Sequence, residues 1–192
     1  MSLAFEVDQF IADCHDAFLE REPQKAMCEV VARAVADQAS MLRILGQSTR
    51  GEIQKLHVSD KLTVLNVIWA PRMTLMPHNH EMWAVIGVYG GREDNIFWRR
   101  LPGGQGERIE ARGAKSLGEK DVVPLGRDII HSVTNPVSRL TGAIHIYAGD
   151  FFTVERSEWD PETLLERRYD LAKNMRLFDE ASAAPGMPSA EQ

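Results

Sequence analysis

The chain predicts an all-β core, an antiparallel sandwich or barrel, with two helices before it and one after. Three observations carry that expectation. From about residue 52 to residue 157 the apolar residues fall in short runs separated by Gly, Pro, Asn and Asp, spaced roughly every 8–12 residues as in a sandwich or barrel. Before residue 46 the apolar period is that of a helix. After residue 160 it becomes helical again, directly behind an Asp-Pro pair.

Taken in order, Val7, Ile11, Cys14 and Phe18 are 4, 3 and 4 residues apart, one face of a helix. Pro23 suits the first position of a second helix, with Met27, Val30, Val31, Ala34, Met41, Leu42 and Leu45 as its apolar stripe and Gly46 as its stop. Strand composition follows in KLTVLNVIWAP, MWAVIGVYGG, NIFWRRLPGG, ERIEARGAKSL, KDVVPLG, DIIHSVTNP, RLTGAIHIYAGD and FFTVERSEW, with GRED between the second and third read as a charged turn. Asp160 is a good N-cap with a proline behind it, so a last helix is expected from Pro161, turning Leu164, Leu165, Leu171, Ala172, Met175 and Phe178 to the barrel. The expected organisation is a helical extension over residues 1–46, a barrel over 47–157, a helix over 158–178 and a flexible, small-residue tail over 179–192.

Bulk properties narrow the function classes. The chain has 192 residues, 44% hydrophobic and 26% charged, which suits one globular domain with a sizeable core. A net charge of -6 argues against nucleic acid or an anionic membrane as the main partner. No apolar run approaches the roughly 20 residues of a membrane span, and the acidic N-terminus lacks the pattern of a secretory signal. Cys14 and Cys28 form no CxxC pair and read as free thiols of a reducing cytoplasm, the expected location.

The chemistry concentrates at MPHNHEMWAVIGVYGG, residues 76–91. His78 and His80 are one residue apart, and in a strand such residues point to the same face. Two imidazoles in one space suit a shared metal ion. Taken alone, the pair suits ordinary hydrogen-bonded histidines as well. Further on, residues 118–135 read GEKDVVPLGRDIIHSVTN, a skeleton of Gly118, Pro124, Gly126, His131 and Asn135.

With H-x-H upstream, this skeleton resembles the cupin superfamily of small double-stranded β-helix (jelly-roll) barrels. Four residues separate Gly126 from His131, where the family normally has two, so the turn is longer here. The resemblance implies that His78, His80 and His131 bind a divalent metal at the barrel mouth. The family's usual glutamate, four or five residues after the second histidine, is absent: those positions are Ala84 and Val85. Glu81 is expected on the opposite face. Three neutral histidines leave the metal its full +2 charge, suited to an anionic chelate such as a thiolate with a carboxylate. Imidazole ligands suit Fe, Zn, Cu and Ni alike.

A second feature, AIHIYAGDFF, places Ala143, His145 and Tyr147 on one strand face, with His131 fourteen positions before His145. Together with PHNH and the missing glutamate, it resembles the cysteine dioxygenase-like (thiol dioxygenase) cupins over roughly residues 50–152. That resemblance implies Fe(II) held by three histidines, addition of O2 to the sulfur of a small thiol to give a sulfinate, and Tyr147 reaching the site with His145 supporting it. Ala143 stands where the family has a serine, and no cysteine corresponds to the one crosslinked to the tyrosine in animal members. Arg50, in QSTRGE, is the nearest counterpart of the family's carboxylate-holding arginine, though its spacing is off by about two residues, and Trp83 is a second substrate-binding candidate that also suits core packing. Two alternatives stay open: another three-histidine cupin oxygenase, cleaving a carbon–carbon bond of a β-diketone or enol, and a non-oxygenase cupin holding a metal such as Zn or Ni. A small-molecule substrate, O2 and a homodimer partner are the expected partners. His15 and His57 are expected away from the site, Met73 and Met76 as packing, and Arg99 and Arg100 as a solvated strand end.

Overall fold

A computed structural model describes residues 6–102 and 108–183. Three helices open the chain: α1 (Val7–Phe18), α2 (Pro23–Val35) and α3 (Gln38–Leu45). Strands β1 (Glu52–Val58), β2 (Thr63–Trp69), β3 (Thr74–His78), β4 (Ala84–Gly90), β5 (Glu93–Arg100), β6 (Ile109–Leu117), β7 (Val122–Leu125), β8 (Ile130–Thr134), β9 (Thr141–Tyr147), β10 (Ser157–Trp159) and β11 (Glu166–Arg168) follow, and α4 (Leu171–Ala183) comes last. The strands form two antiparallel sheets, ordered β1-β2-β9-β4-β7 and β11-β10-β3-β8-β5-β6, a jelly-roll cupin fold.

β2, β4 and β9 are buried at every residue. Alternation explains it. Leu65, Val67, Trp69, Ala84, Ile86 and Val88 face the space between the sheets, while Val64, Ile68, Val85, Tyr89, Ile144 and Ile146 face the helices. Strands covered on both sides read as unbroken apolar runs. The helical cover comes close: a Cβ at Gly87 would lie 2.3 Å from Val31 Cγ1 on α2, so only glycine lets α2 rest on β4.

The structure differs from the sequence expectation in its helices. The single helix expected from Pro23 to Gly46 is two. Asp37 leaves helical geometry (φ -120, ψ 83), and its carboxylate accepts the Ser40 N–H at 3.0 Å, starting α3. The helix expected from Pro161 is a hairpin loop between β10 and β11. Asp160 Oδ1 does accept the Glu162 and Thr163 N–H groups at 3.0 Å, as a cap would, but Leu164 then takes φ 57 and turns the chain back. The true last helix starts ten residues later, where Asp170 Oδ1 accepts the Lys173 N–H at 2.9 Å. Of FFTVERSEW only Ser157–Trp159 is strand. Residues 179–183 of the expected tail belong to α4, and 184–192 lie outside the described residues. Among the described residues no helix is long and apolar enough to cross a membrane.

Candidate metal centre

His78 ends β3 and pairs across the sheet with His131 on β8. His80 lies beyond the strand's end, so only the first member of the H-x-H pair belongs to the strand. The chain between them is pinned by Asn79, whose N–H donates to Ser157 O at 3.1 Å and whose Oδ1 accepts the Ser157 N–H at 2.8 Å. Glu81, at φ 57, then redirects the backbone into β4. The three rings are 1–3% exposed, and a ligand atom from each lies within 4.8 Å of the others.

Hydrogen bonds orient two of these rings. His78 Nδ1 faces Met76 O at 3.0 Å, and His131 Nδ1 faces Asn95 Oδ1 at 2.7 Å. A carbonyl oxygen and an amide oxygen accept, so both Nδ1 atoms carry the proton and both Nε2 atoms present lone pairs. His80 Nε2 lies 3.2 Å from each of them. One N–H on His80 cannot serve two lone pairs well, whereas a divalent cation serves three nitrogens at once. Nitrogens bound at about 2.1 Å around such an ion stand roughly 3.0–3.4 Å apart, which these spacings fit. Burial drives the proton off all three rings, pushing His78 down to about 4 and holding His80 and His131 well below the usual histidine range, with neighbouring histidines and Arg156 acting in the same direction on His78 and His80. The neutral ring is the ligating form.

Tyr147 lies over His80, ring centroids 5.0 Å apart, and its hydroxyl is 3.0 Å from His145 Nδ1. Burial raises the phenol's pKa, so the hydroxyl keeps its proton. On its other side His145 Nε2 is 3.3 Å from Glu93 Oε2, which also accepts Trp69 Nε1–H at 2.9 Å. Glu93 Oε1 accepts Asn95 Nδ2–H at 3.1 Å, and Asn95 returns the contact to His131. Glu93 and Asn95 are 0% and 1% exposed. Sequence reasoning missed Glu93 because GRED reads as a charged turn, and passed over Asn95 as the first residue of the strand run behind it. The available signal was alternation: with a strand beginning at Glu93, Glu93, Asn95 and Phe97 share one face, and Phe97 packs on the core.

The structure does not bring Arg50 or Trp83 to this centre. Arg50 precedes β1 with its side chain 63% exposed and its Nε 3.9 Å from Glu52, because the loop after α3 runs over the surface. Trp83 stacks on Phe18 of α1 at 5.8 Å, on the helical side of the first sheet. The arginine near the centre is Arg156. Its guanidinium lies between the rings of Phe151 and Tyr169, 4.1 Å from each centroid, and Nη1 donates to Phe151 O at 2.5 Å. It is 6% exposed, and among the described residues its Nε and Nη2 have no hydrogen-bond partner. His15 and His57 pack on each other, centroids 4.9 Å apart, away from the centre.

The three histidines open on a cavity of about 30 Å³, room for roughly two waters. Its walls are mostly apolar, with Tyr147 and His145 among them. Tyr169 and the α4 residues Leu171, Asn174, Met175 and Phe178 close it. Phe178 packs on Trp69 at 5.3 Å, and Asn174 Nδ2 donates to Glu158 at 2.7 Å, fixing the helix over the mouth.

Fold and site together define a jelly-roll cupin fold whose buried histidine cluster can hold a divalent metal. No protein-family model matches the chain. Among solved structures it is similar to an RmlC-like cupin family protein with a double-stranded β-helix fold from Methanocaldococcus jannaschii, at 9% identity and TM-score 0.46, over 56% of this chain and 87% of that one. It is also similar to the oxalate decarboxylase of Bacillus subtilis, described with Mn(II) centres, at 15% identity and TM-score 0.37, over 48% of this chain and 22% of that one. Nothing about this chain's reaction follows from either likeness.

Proposed function

We propose that the protein is a non-haem Fe(II) dioxygenase that adds O2 to the sulfur of a small thiol, RSH + O2 giving RSO2H. The observation that carries this reading is a cluster of three neutral imidazoles, with no carboxylate among them, facing a cavity that also holds a protonated tyrosine hydroxyl. His78, His80 and His131 would hold the iron. When bound, Fe(II) supplies the oxygen chemistry and, carrying its full +2 charge among neutral ligands, favours an anionic sulfur donor. Tyr147 lines the cavity, and His145 holds its hydroxyl in place. Leu65, Leu75 and Val133 keep the reacting atoms dry. Arg156 supplies a permanent positive charge beside two cavity-lining rings, with two donors to spare for a carboxylate. Cys14 and Cys28 are both free, which suits a reducing cytoplasm.

The test is O2 uptake by the Fe(II)-loaded protein with cysteine, 3-mercaptopropionate, cysteamine and a β-diketone, with His131→Ala as the blank. Uptake with a carboxylate-bearing thiol, matched by sulfinate and lost in the blank, is the expected result. Uptake with the diketone alone, or none despite stoichiometric iron, overturns the reading. An Arg156→Met variant is expected to level the rates for 3-mercaptopropionate and cysteamine.

A further inference from the structure

Two hydrogen-bond chains leave Glu93 in different directions. One runs through Asn95 to the ring of His131, and the other through His145 to the hydroxyl of Tyr147. We propose that Glu93 is the positioning residue of this centre, a single carboxylate that sets the donor and acceptor direction of both chains at once. The proposal rests on the metal-site reading above and extends it to residues that touch neither metal nor cavity.

Hydrogen-bond direction assigns the role. Trp69 Nε1–H can only donate, so the oxygen it meets, Glu93 Oε2, is an acceptor. His145 Nε2 faces that same oxygen and must bring the proton, which in the neutral ring leaves Nδ1 as the acceptor for Tyr147 O–H. On the other oxygen, Asn95 must present its NH2 group. Its amide oxygen then points the opposite way, at His131 Nδ1. That fixes the Nδ1–H tautomer of His131 and turns its Nε2 lone pair to His80 and His78. A carboxylate satisfies both arms because both its oxygens accept. An amide of the same shape has one oxygen and one NH2 and satisfies only one.

This sets a specific expectation for Glu93→Gln. The amide oxygen goes to the side with two donors, Trp69 and His145. The NH2 then faces Asn95, which rotates to offer its oxygen and so points its own NH2 at His131 Nδ1. His131 is driven to the Nε2–H tautomer, which cannot ligate. Adding Asn95→Asp reverses the damage. The carboxylate introduced at position 95 accepts from the position-93 amide with one oxygen and from His131 Nδ1–H with the other. The negative charge has moved two residues, one link along the hydrogen-bonded path, and the direction at the ligand is restored.

The experiment measures metal affinity rather than turnover. Co(II) and Zn(II) are titrated against a competing chelator into the wild type, E93Q and the E93Q/N95D double variant, with the Co(II) ligand-field bands as a second readout. E93Q is expected to bind roughly 10- to 100-fold more weakly. The double variant is expected to return to within about threefold of the wild type, with its Co(II) bands. If E93Q does not fold, the double variant alone carries the test. A merely structural Glu93 predicts no rescue, since the second substitution would add to the first. Unchanged affinity in E93Q, or a folded double variant that binds no better than E93Q, overturns the proposal. A wild type that binds neither ion overturns the metal-site reading, and the proposal with it.

Discussion

Lowering the pH of the metal-free protein from 7.5 to 5.0 is expected to strip away a large part of its stability. The cause is the burial of three imidazoles in neutral form. An unfolded histidine titrates near 6.5 and is almost fully protonated at pH 5.0, which stabilises the unfolded chain by about 2 kcal/mol per ring. His78, held at about 4 in the folded protein, takes up almost no proton at that pH, so nearly all of that 2 kcal/mol is lost from its stability. His80 and His131 are also held well below 6.5. Each adds a loss of the same sign, capped at about 2 kcal/mol by what the unfolded ring gains. The total lies between about 2 and about 6 kcal/mol, against a typical domain stability of roughly 5–15. Because the folded pKa values are depressed, stability is complete above pH 6.5 and falls as the pH drops toward 4. Urea unfolding followed by tryptophan fluorescence at the two pH values measures it, with a His80→Leu variant expected to show a loss smaller by up to about 2 kcal/mol. A midpoint that stays constant between pH 7.5 and 5.0 would refute this reasoning, since the rings would then be protonated or exposed in the folded state.

Other outcomes follow from packing. Phe178→Ala removes a side chain that is 3% exposed and packed on Trp69, so a loss of about 3–5 kcal/mol in chemical denaturation is expected. The same variant enlarges the cavity under α4, and any activity found should extend to thiols too bulky for the wild type. Gly87→Ala brings a methyl to 2.3 Å from Val31 and 3.0 Å from Val35, and a cost of about 1–3 kcal/mol in thermal or urea melts is expected, with metal affinity unaltered because the clash lies on the helical side of the sheet.

Much of the fold was legible because it rests on local periodicity. The all-β core, the helical opening and most strands follow from alternation, apolar runs and turn residues. Helix ends were less legible, for a physical reason visible at Asp37 and Asp160. An aspartate that caps its following N–H groups looks the same in sequence whether it restarts a helix, as Asp37 does, or closes a hairpin loop, as Asp160 does. The three histidines were legible as a group only through the resemblance to cupins, and the structure places them on two neighbouring strands and the loop after one of them. His145 and Tyr147 were legible as same-face residues of one strand, and the structure turns both to the cavity.

The sequence by itself determined that Ala143, His145 and Tyr147 share one strand face, since side chains two residues apart along a regular strand point the same way. It also determined that no carboxylate stands four or five residues after the second histidine of H-x-H, since Ala84 and Val85 occupy those positions. Only the tertiary structure decided that Glu93 and Asn95 join the centre, that Arg156 lies beside it while Arg50 does not, and that α4 closes its mouth. Each of these depends on which strands become neighbours and in what register. His145 meets Glu93 across 52 residues, and the closing helix reaches Trp69 from more than a hundred positions away. Such distances close only when the whole barrel buries its apolar surface together, so the contacts they create are a property of the assembled sheets and of no local pattern.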